Sequence, residues 1–284
     1  MFQMKRAGFG VRLALCFLFV VASACDSVLY YPTHDVVNKP EDSGATVENI
    51  WFQNEEGAKL HGVYFRHLNT SRPARAVFVF FHGNGSNLTG HFPHLIWTLK
   101  QDFDFFIFDY QGYGESPGEP TPKGTLLDGK AAVRYVASRY PELPLIIFGQ
   151  SLGGAVAMRT VIELKDEIKP GLIIVDSSFI SYREVARNIV SRYGLGSVLS
   201  IFLPSDEFAP VDRVAEIAPI PMLIYHGNLD QIVDYKFGLQ IFEKAGSSKE
   251  FWTVFSGQHT DAFSKRHNGI YKQALLDFLS RMKL

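Results

Sequence analysis

Cysteine is nearly absent. The 284-residue chain has two, Cys16 and Cys25, both at the extreme N-terminus, so no disulfide can staple the body of the chain. An excess of charge is also missing. Lys and Arg total 28 against 29 Asp and Glu, a net charge of -1, which leaves no basic footprint for nucleic acid. A long apolar run is missing too. The run Leu13–Ala24 falls short of the about 20 residues that a membrane-crossing helix needs. No tandem repeat or low-complexity tract occurs. Hydrophobic and aromatic residues are plentiful, at 46% and 14%, with 24 Phe. Length and composition suit one large α/β domain with a substantial core, and the phenylalanines read first as packing.

The N-terminus does not read as part of that domain. Lys5, Arg6 and Arg12 precede Leu13–Ala24, the basic and apolar parts of a secretory signal over residues 1–24. Ala22-Ser23-Ala24-Cys25 follows. Small residues ending in a cysteine resemble a bacterial lipobox, with Ala22 where Leu or Val is usual. The expectation is cleavage after Ala24 and lipidation of Cys25, which anchors a protein to a membrane without spanning it. The alternative is a plain cleaved signal and a soluble periplasmic protein with a free Cys25. In lipoproteins of this kind, an Asp in the place of Asp26 favours retention at the inner membrane. Residues 25–46, with Pro32, Pro40 and Gly44, read as a tether before a domain at 47–284.

Within that domain, Asn49–Arg66 reads as a hairpin around a polar turn at Asn54–Gly57. Near-continuous apolar runs then alternate with helical spacing. The runs are Ala76–Gly83, Phe103–Tyr110, Leu143–Gly149, Pro170–Ser178, Ile220–Gly227 and Glu250–Gly257. Helical spacing covers Asp128–Tyr140, Gly154–Lys165, Phe237–Ala245 and Asn268–Met282. Strands buried on both faces look like this, and they belong to parallel sheets covered by helices. The alternation predicts βαβ units in a doubly wound, mostly parallel sheet. Ser181–Pro219 is too long for a plain crossover and is broken by Gly194, Gly196, Pro204 and Pro210. It reads as a crossover helix plus a lid-like insertion carrying Tyr182, Tyr193, Phe202 and Phe208.

The strongest chemical signal is Gly149-Gln150-Ser151-Leu152-Gly153-Gly154, directly after an apolar strand and before a helical stretch. Gly-x-Ser-x-Gly alone is weak, but strand, sharp turn and helix put the serine hydroxyl above the sheet on a strained elbow. A serine hydroxyl needs a base to take its proton, and the base needs a carboxylate to orient it. His259 follows the last apolar run and lies at the same sheet edge as Ser151. His267, further on, reads as a surface residue. His34, His61, His67, His91 and His94 precede the elbow, in the tether, the hairpin or a loop. Asp230 follows the strand Ile220–Gly227, and Asp176 ends the strand before it. Asp230 is preferred because Ile232 and Val233 can pin its loop, and the order Ser151, Asp230, His259 is nucleophile, acid, base.

His-Gly-Asn occurs twice, at His82–Asn84 and His226–Asn228. A metal pair on the two histidines is not favoured, because no second histidine or carboxylate is seen at helical or loop spacing beside either. Both are expected to be structural. Gly112–Gly118 and Gly83–Gly90 miss the third glycine of a dinucleotide fingerprint. With FFHGNGSN, FDYQGYGES, GQSLGG, HGNLDQIV and GQHTD in place, the chain resembles the α/β-hydrolase-domain serine hydrolases from about Val47 to the C-terminus, and its CDSVLYYP start resembles their lipoprotein members. The resemblance implies the α/β-hydrolase fold and an oxyanion hole formed by the backbone amides of Asn84 and Leu152. Asp109–Ser116 would line the site floor. It also implies hydrolysis of a small acyl ester or lipid without cofactor or metal. A peptidase of the same fold, or a non-enzymatic lipoprotein that keeps the fold as a scaffold, are the alternatives.

Overall fold

The computed structural model describes residues 29–192 and 204–284. The segment Leu13–Ala24, Cys25, and the lid residues Tyr193, Gly194, Gly196 and Phe202 lie outside the described residues.

Eight strands form one sheet. In chain order they are β1 (Val47–Gln53), β2 (Lys59–Phe65), β3 (Val77–Phe81), β4 (Asp104–Phe108), β5 (Leu145–Gln150), β6 (Leu172–Asp176), β7 (Met222–Gly227) and β8 (Lys249–Val254). Their order across the sheet is β8-β7-β6-β5-β3-β4-β2-β1. The β1–β2 hairpin is antiparallel, as is β2 against β4, and every other pair is parallel. The apolar runs are continuous because both faces are buried. In β3, Val77, Val79 and Phe81 enter one core, while Phe78 and Phe80 enter the other, the two-residue alternation of a strand.

Among the described residues, the helices of ten or more residues are α1 (Pro122–Arg139), α2 (Leu152–Leu164), α3 (Tyr182–Arg192), α4 (Tyr235–Lys244) and α5 (Ile270–Arg281). Residues of α1 to α4 fill the first core. Those of α5, with Leu88, Phe92, Leu95 and Leu99, fill the second. Helices thus cover both faces, and the parallel strands β3, β5, β6, β7 and β8 all end at one edge. Among the described residues, no helix is long and apolar enough to cross a membrane.

Three expectations need correction. Residues 29–46, read as a tether, lie on the domain: Leu29 and Tyr30 are buried, and Tyr31–Pro32 pairs in parallel with Gly85–Ser86. A short, proline-broken segment hides this, because two adjacent apolar residues show no period and the pairing itself is made by backbone. His267, read as a surface residue, is buried, with Nε2 3.2 Å from Asp261 Oδ1. Third, α1 starts at Pro122 and not at Asp128. The Thr121 hydroxyl accepts from the Gly124 amide and Pro122 takes the first turn, start signals present in the sequence.

Asp128 is therefore mid-helix and buried. It accepts from Asn54 Nδ2 at 2.8 Å, Gln111 N at 2.9 Å and Gln111 Nε2 at 3.0 Å, tying the hairpin turn to the loop after β4. Burial pushes its carboxyl up to about 6, and these donors only partly offset that. The folded state then binds this proton more tightly than the unfolded chain. Its effect on stability is an advantage near pH 4 that is lost as pH rises through about 6, worth roughly 2–3 kcal/mol. Urea unfolding of wild type and Asp128→Asn at pH 4 and pH 7 should show the difference between them moving by that amount in favour of wild type at the lower pH. A pH-independent difference would refute it.

Candidate active site

Ser151 sits between β5 and α2 with φ 55° and ψ -121°, a region that a non-glycine residue occupies only when its surroundings impose it. They do so here. The Ser151 amide donates to Asp176 O at 2.8 Å, and the Ser178 hydroxyl donates to Ser151 O at 2.7 Å. The strain turns the Ser151 hydroxyl to His259 Nε2, 3.0 Å away.

His259 Nδ1 lies 2.7 Å from Asp230 Oδ2. Asp230 follows β7, and its Oδ1 accepts from the Ile232 and Val233 amides at 2.8 and 3.0 Å. The Leu229 amide donates to Gly257 O at 2.9 Å, which ties the Asp230 and His259 loops together. Burial alone would raise the Asp230 pKa. Hydrogen bonds from His226, His259 and the Ile232 amide outweigh it, and the carboxyl is held well below the usual range. An ionised Oδ2 accepts only, so Nδ1 carries the ring hydrogen and Nε2 faces the Ser151 hydroxyl as an acceptor. Such an arrangement can remove a proton from the hydroxyl.

The rival carboxylate, Asp176, is fully buried. It accepts from Ser177 Oγ at 2.9 Å and lies 3.4 Å from His94 Nε2. Its partners do not include His259. Ser177 Oγ in turn accepts from the Thr260 amide at 3.2 Å, so Asp176 supports the His259 loop from behind.

The first His-Gly-Asn turn packs against the elbow. A Cβ added to Gly83 would lie 3.7 Å from Ser151 Cβ. His82 Nδ1 is 2.7 Å from Gly83 O and so donates to it. The C=O and N–H of a trans peptide point in opposite directions. By holding Gly83 O on one side, the His82 ring aims the Asn84 amide the other way. Leu152 opens α2, where its N–H has no intrahelical partner.

The second turn is built similarly. His226 Nε2 is 2.8 Å from Val233 O and 3.2 Å from Asp230 Oδ2. The fold gives each histidine neighbours that the sequence reading does not count. His226 has Asp230, and His82 has Asp109 Oδ1 at 3.5 Å and the stacked ring of His91 at 5.2 Å. Asp230 lies four residues beyond His226, so that spacing was visible. Among the described residues, no group of three or more His, Cys, Asp or Glu side chains is placed to hold a metal ion.

His91 and His94 carried no periodic signal, yet both lie against the site. His91 Nε2 is 2.7 Å from Gly85 O and Nδ1 is 3.0 Å from Gln150 Oε1. Burial, with a lesser push from His82, lowers its pKa to about 4, so the ring is neutral at pH 7. A cavity of about 400 Å³ beside it is lined by Trp97, Phe263, Gln150 and Thr260 among others. Gln150 and Thr260 adjoin Ser151 and His259.

Known proteins carry the same frame. The family profile described as Serine aminopeptidase, S33 matches residues 72–205. YfhR, an uncharacterized protein of Salmonella typhimurium, is 31% identical, over 92% of this chain and 90% of its own. The lysophosphatidylserine lipase ABHD12 of Macaca fascicularis is 28% identical over 83% of this chain, which spans 61% of that protein. Among solved structures, the Pyrococcus furiosus esterase Pf2001 superposes with a TM-score of 0.71, covering 89% of this chain and 98% of its own at 22% identity. A carboxyl esterase of Bacillus coagulans superposes at 0.62, covering 84% and 99% at 13% identity. With a mostly parallel eight-stranded sheet, helices on both faces and a serine elbow at the end of β5, the chain belongs to the α/β-hydrolase family.

Proposed function

We propose that this protein is a serine hydrolase that cleaves carboxylic ester or thioester bonds of small acyl or lipid substrates through an acyl-Ser151 intermediate. The observation that carries the reading is the continuous chain of hydrogen bonds from Ser151 through His259 to a buried, ionised Asp230. His259 Nε2 takes the Ser151 proton while Oγ attacks the carbonyl carbon. The Asn84 and Leu152 amides receive the oxyanion, and removing one such donor elsewhere costs roughly 3–4 kcal/mol. The C–O or C–S bond then breaks, and the leaving alcohol or thiol takes the proton from His259. A water molecule, deprotonated by His259, releases the acid and restores Ser151.

The wild-type protein should be labelled covalently by a fluorophosphonate probe, and Ser151→Ala should not. A folded wild type that resists labelling would leave the scaffold alternative standing. The aminopeptidase description of the matched profile favours a second reading, cleavage of peptide amides. Rates on p-nitrophenyl esters and aminoacyl anilides separate the two. Ester turnover is expected to dominate, and dominant anilide cleavage would reverse the assignment.

Anchoring through a lipid on Cys25 favours amphiphilic esters. From Cys25 to the buried Leu29 the chain can reach at most about 14 Å, so such an anchor would hold the domain close to a bilayer.

A further inference from the structure

We propose that residues 29–38 are a built-in strap that positions the Asn84 amide, with Tyr113 as its partner, so that catalysis depends on a segment that precedes the domain's first strand. This rests on the reading of Asn84 as an oxyanion donor. Asn84 stands between two peptide planes. The one before it is held at Gly83 O by the His82 ring at 2.7 Å. The one after it is held at Asn84 O by two donors, the Tyr31 amide at 3.0 Å and the Tyr113 hydroxyl at 2.7 Å. A carbonyl oxygen has two lone pairs, and both are engaged. The N–H lies in the first plane, and the second shares the Asn84 Cα with it, so holding both limits rotation about the two soft dihedrals of Asn84 and with it any tilt of the N–H.

The strap is fastened along its length to the same loop. The Thr33 amide donates to Ser86 O at 3.2 Å. Thr33 O accepts from the Gly114 amide at 3.0 Å and from Asn87 Nδ2 at 3.0 Å. Asn87 Nδ2 also reaches Asp35 O at 2.8 Å, and the Val37 amide donates to Thr89 Oγ1 at 3.0 Å. Leu29 and Tyr30 are buried at 4% exposure and root the strap in the core. The loop needs this support: it has little regular structure, and Ser86 is held at φ 65°, a conformation that persists only when neighbours impose it. Tyr113 reaches Asn84 from the loop after β4, which also meets the strap through Gly114. The strap and that loop therefore clamp the Asn84 turn from two sides.

Two variants remove one donor each. Tyr113→Phe deletes a hydroxyl. Tyr31→Pro deletes an amide hydrogen from a residue whose side chain is largely exposed. Loss of a whole oxyanion donor costs about 10²–10³ in kcat; loosening one should cost about tenfold per variant and about 100-fold in the pair. KM on a p-nitrophenyl ester should stay within about twofold. Affinity for a trifluoromethyl ketone, which builds an oxyanion on Ser151, should fall in parallel with kcat, while affinity for the product acid holds. A purely structural role would lower the melting temperature without moving kcat or the ketone affinity of the folded enzyme. Retention of kcat in folded Tyr113→Phe would overturn the proposal while leaving the hydrolase reading intact, and that variant decides alone if Tyr31→Pro does not fold. A wild type without ester turnover would sink both.

Discussion

Asp230→Asn is expected to lose about 10⁴-fold in kcat while keeping the fold, the loss seen when an equivalent acid is made neutral in a serine-histidine-aspartate site. The geometry gives the reason. The new carbonyl oxygen can replace Oδ1 and keep the Ile232 and Val233 amides, at 2.8 and 3.0 Å. The new NH₂ must then take the Oδ2 position, 2.7 Å from His259 Nδ1. It donates there, which forces the ring hydrogen onto Nε2, facing Ser151. The imidazole can no longer accept the hydroxyl proton. The same NH₂ would meet His226 Nε2 at 3.2 Å, and that nitrogen already donates to Val233 O. Two donors face to face in a buried site cost about 1–3 kcal/mol. Asp230 also has a depressed pKa in the folded state, so the stability it contributes is present above the usual carboxylate range and lost as pH falls below it. The asparagine variant lacks that contribution at neutral pH. Single-turnover rates on a p-nitrophenyl ester for Asp230→Asn and Asp176→Asn separate the two acids. Asp176 sits behind the His259 loop, and its variant should lose far less. A kcat for Asp230→Asn within tenfold of wild type, or a larger loss for Asp176→Asn, would reassign the acid.

The site was more legible than its support. That Ser151, Asp230 and His259 meet could be read because each follows a buried strand, and parallel strands must deliver their ends to one edge. Strand identity came from apolar runs that only a sheet buried on both faces requires, and the helix faces came from their spacing. What could not be read were contacts made by backbone or by isolated polar side chains. The strap at residues 29–38 is one case. It is short and broken by Pro32, with Leu29 and Tyr30 too few to show a period, and its pairing with Gly85–Ser86 leaves no periodic trace. His91 and His94 are another, since a short loop of single turns has no period to betray a buried face. His267 was misplaced for a similar reason. It stands in a single turn, Lys265–His267, among charged residues, and its burial comes from Asp261 and the Tyr271 ring. The start of α1 was different. Thr121 and Pro122 spell a helix start, and Leu126 and Leu127 are buried, but Lys123, Gly124 and Asp128 interrupt the apolar pattern where the first turns pack against polar partners such as Gln111 and Asn54.

Gly153→Ala should be the most damaging small substitution in the elbow, lowering stability by about 3 kcal/mol or more and abolishing turnover in whatever folds. Gly153 lies in the first turn of α2, where alanine would ordinarily favour the helix by about 1 kcal/mol. Space decides against it. A Cβ on Gly153 would overlap the carbonyl oxygens of Phe81 and His82. These are backbone atoms at the end of β3 and cannot rotate away as a side-chain tip could. Relief requires α2 to move off β3, or β3 to retreat. Either motion separates the Leu152 amide from the Gly83–Asn84 turn, the two sides of the proposed oxyanion hole. The elbow glycine is therefore a distance constraint between two amides as much as a packing device. For a domain of this size the loss corresponds to a fall in melting temperature of roughly 6–12 °C. Calorimetry together with fluorophosphonate labelling would measure both effects. A variant that melts within about 2 °C of wild type and turns over normally would mean that α2 and β3 can separate without cost, and the close approach would then have no role in the site.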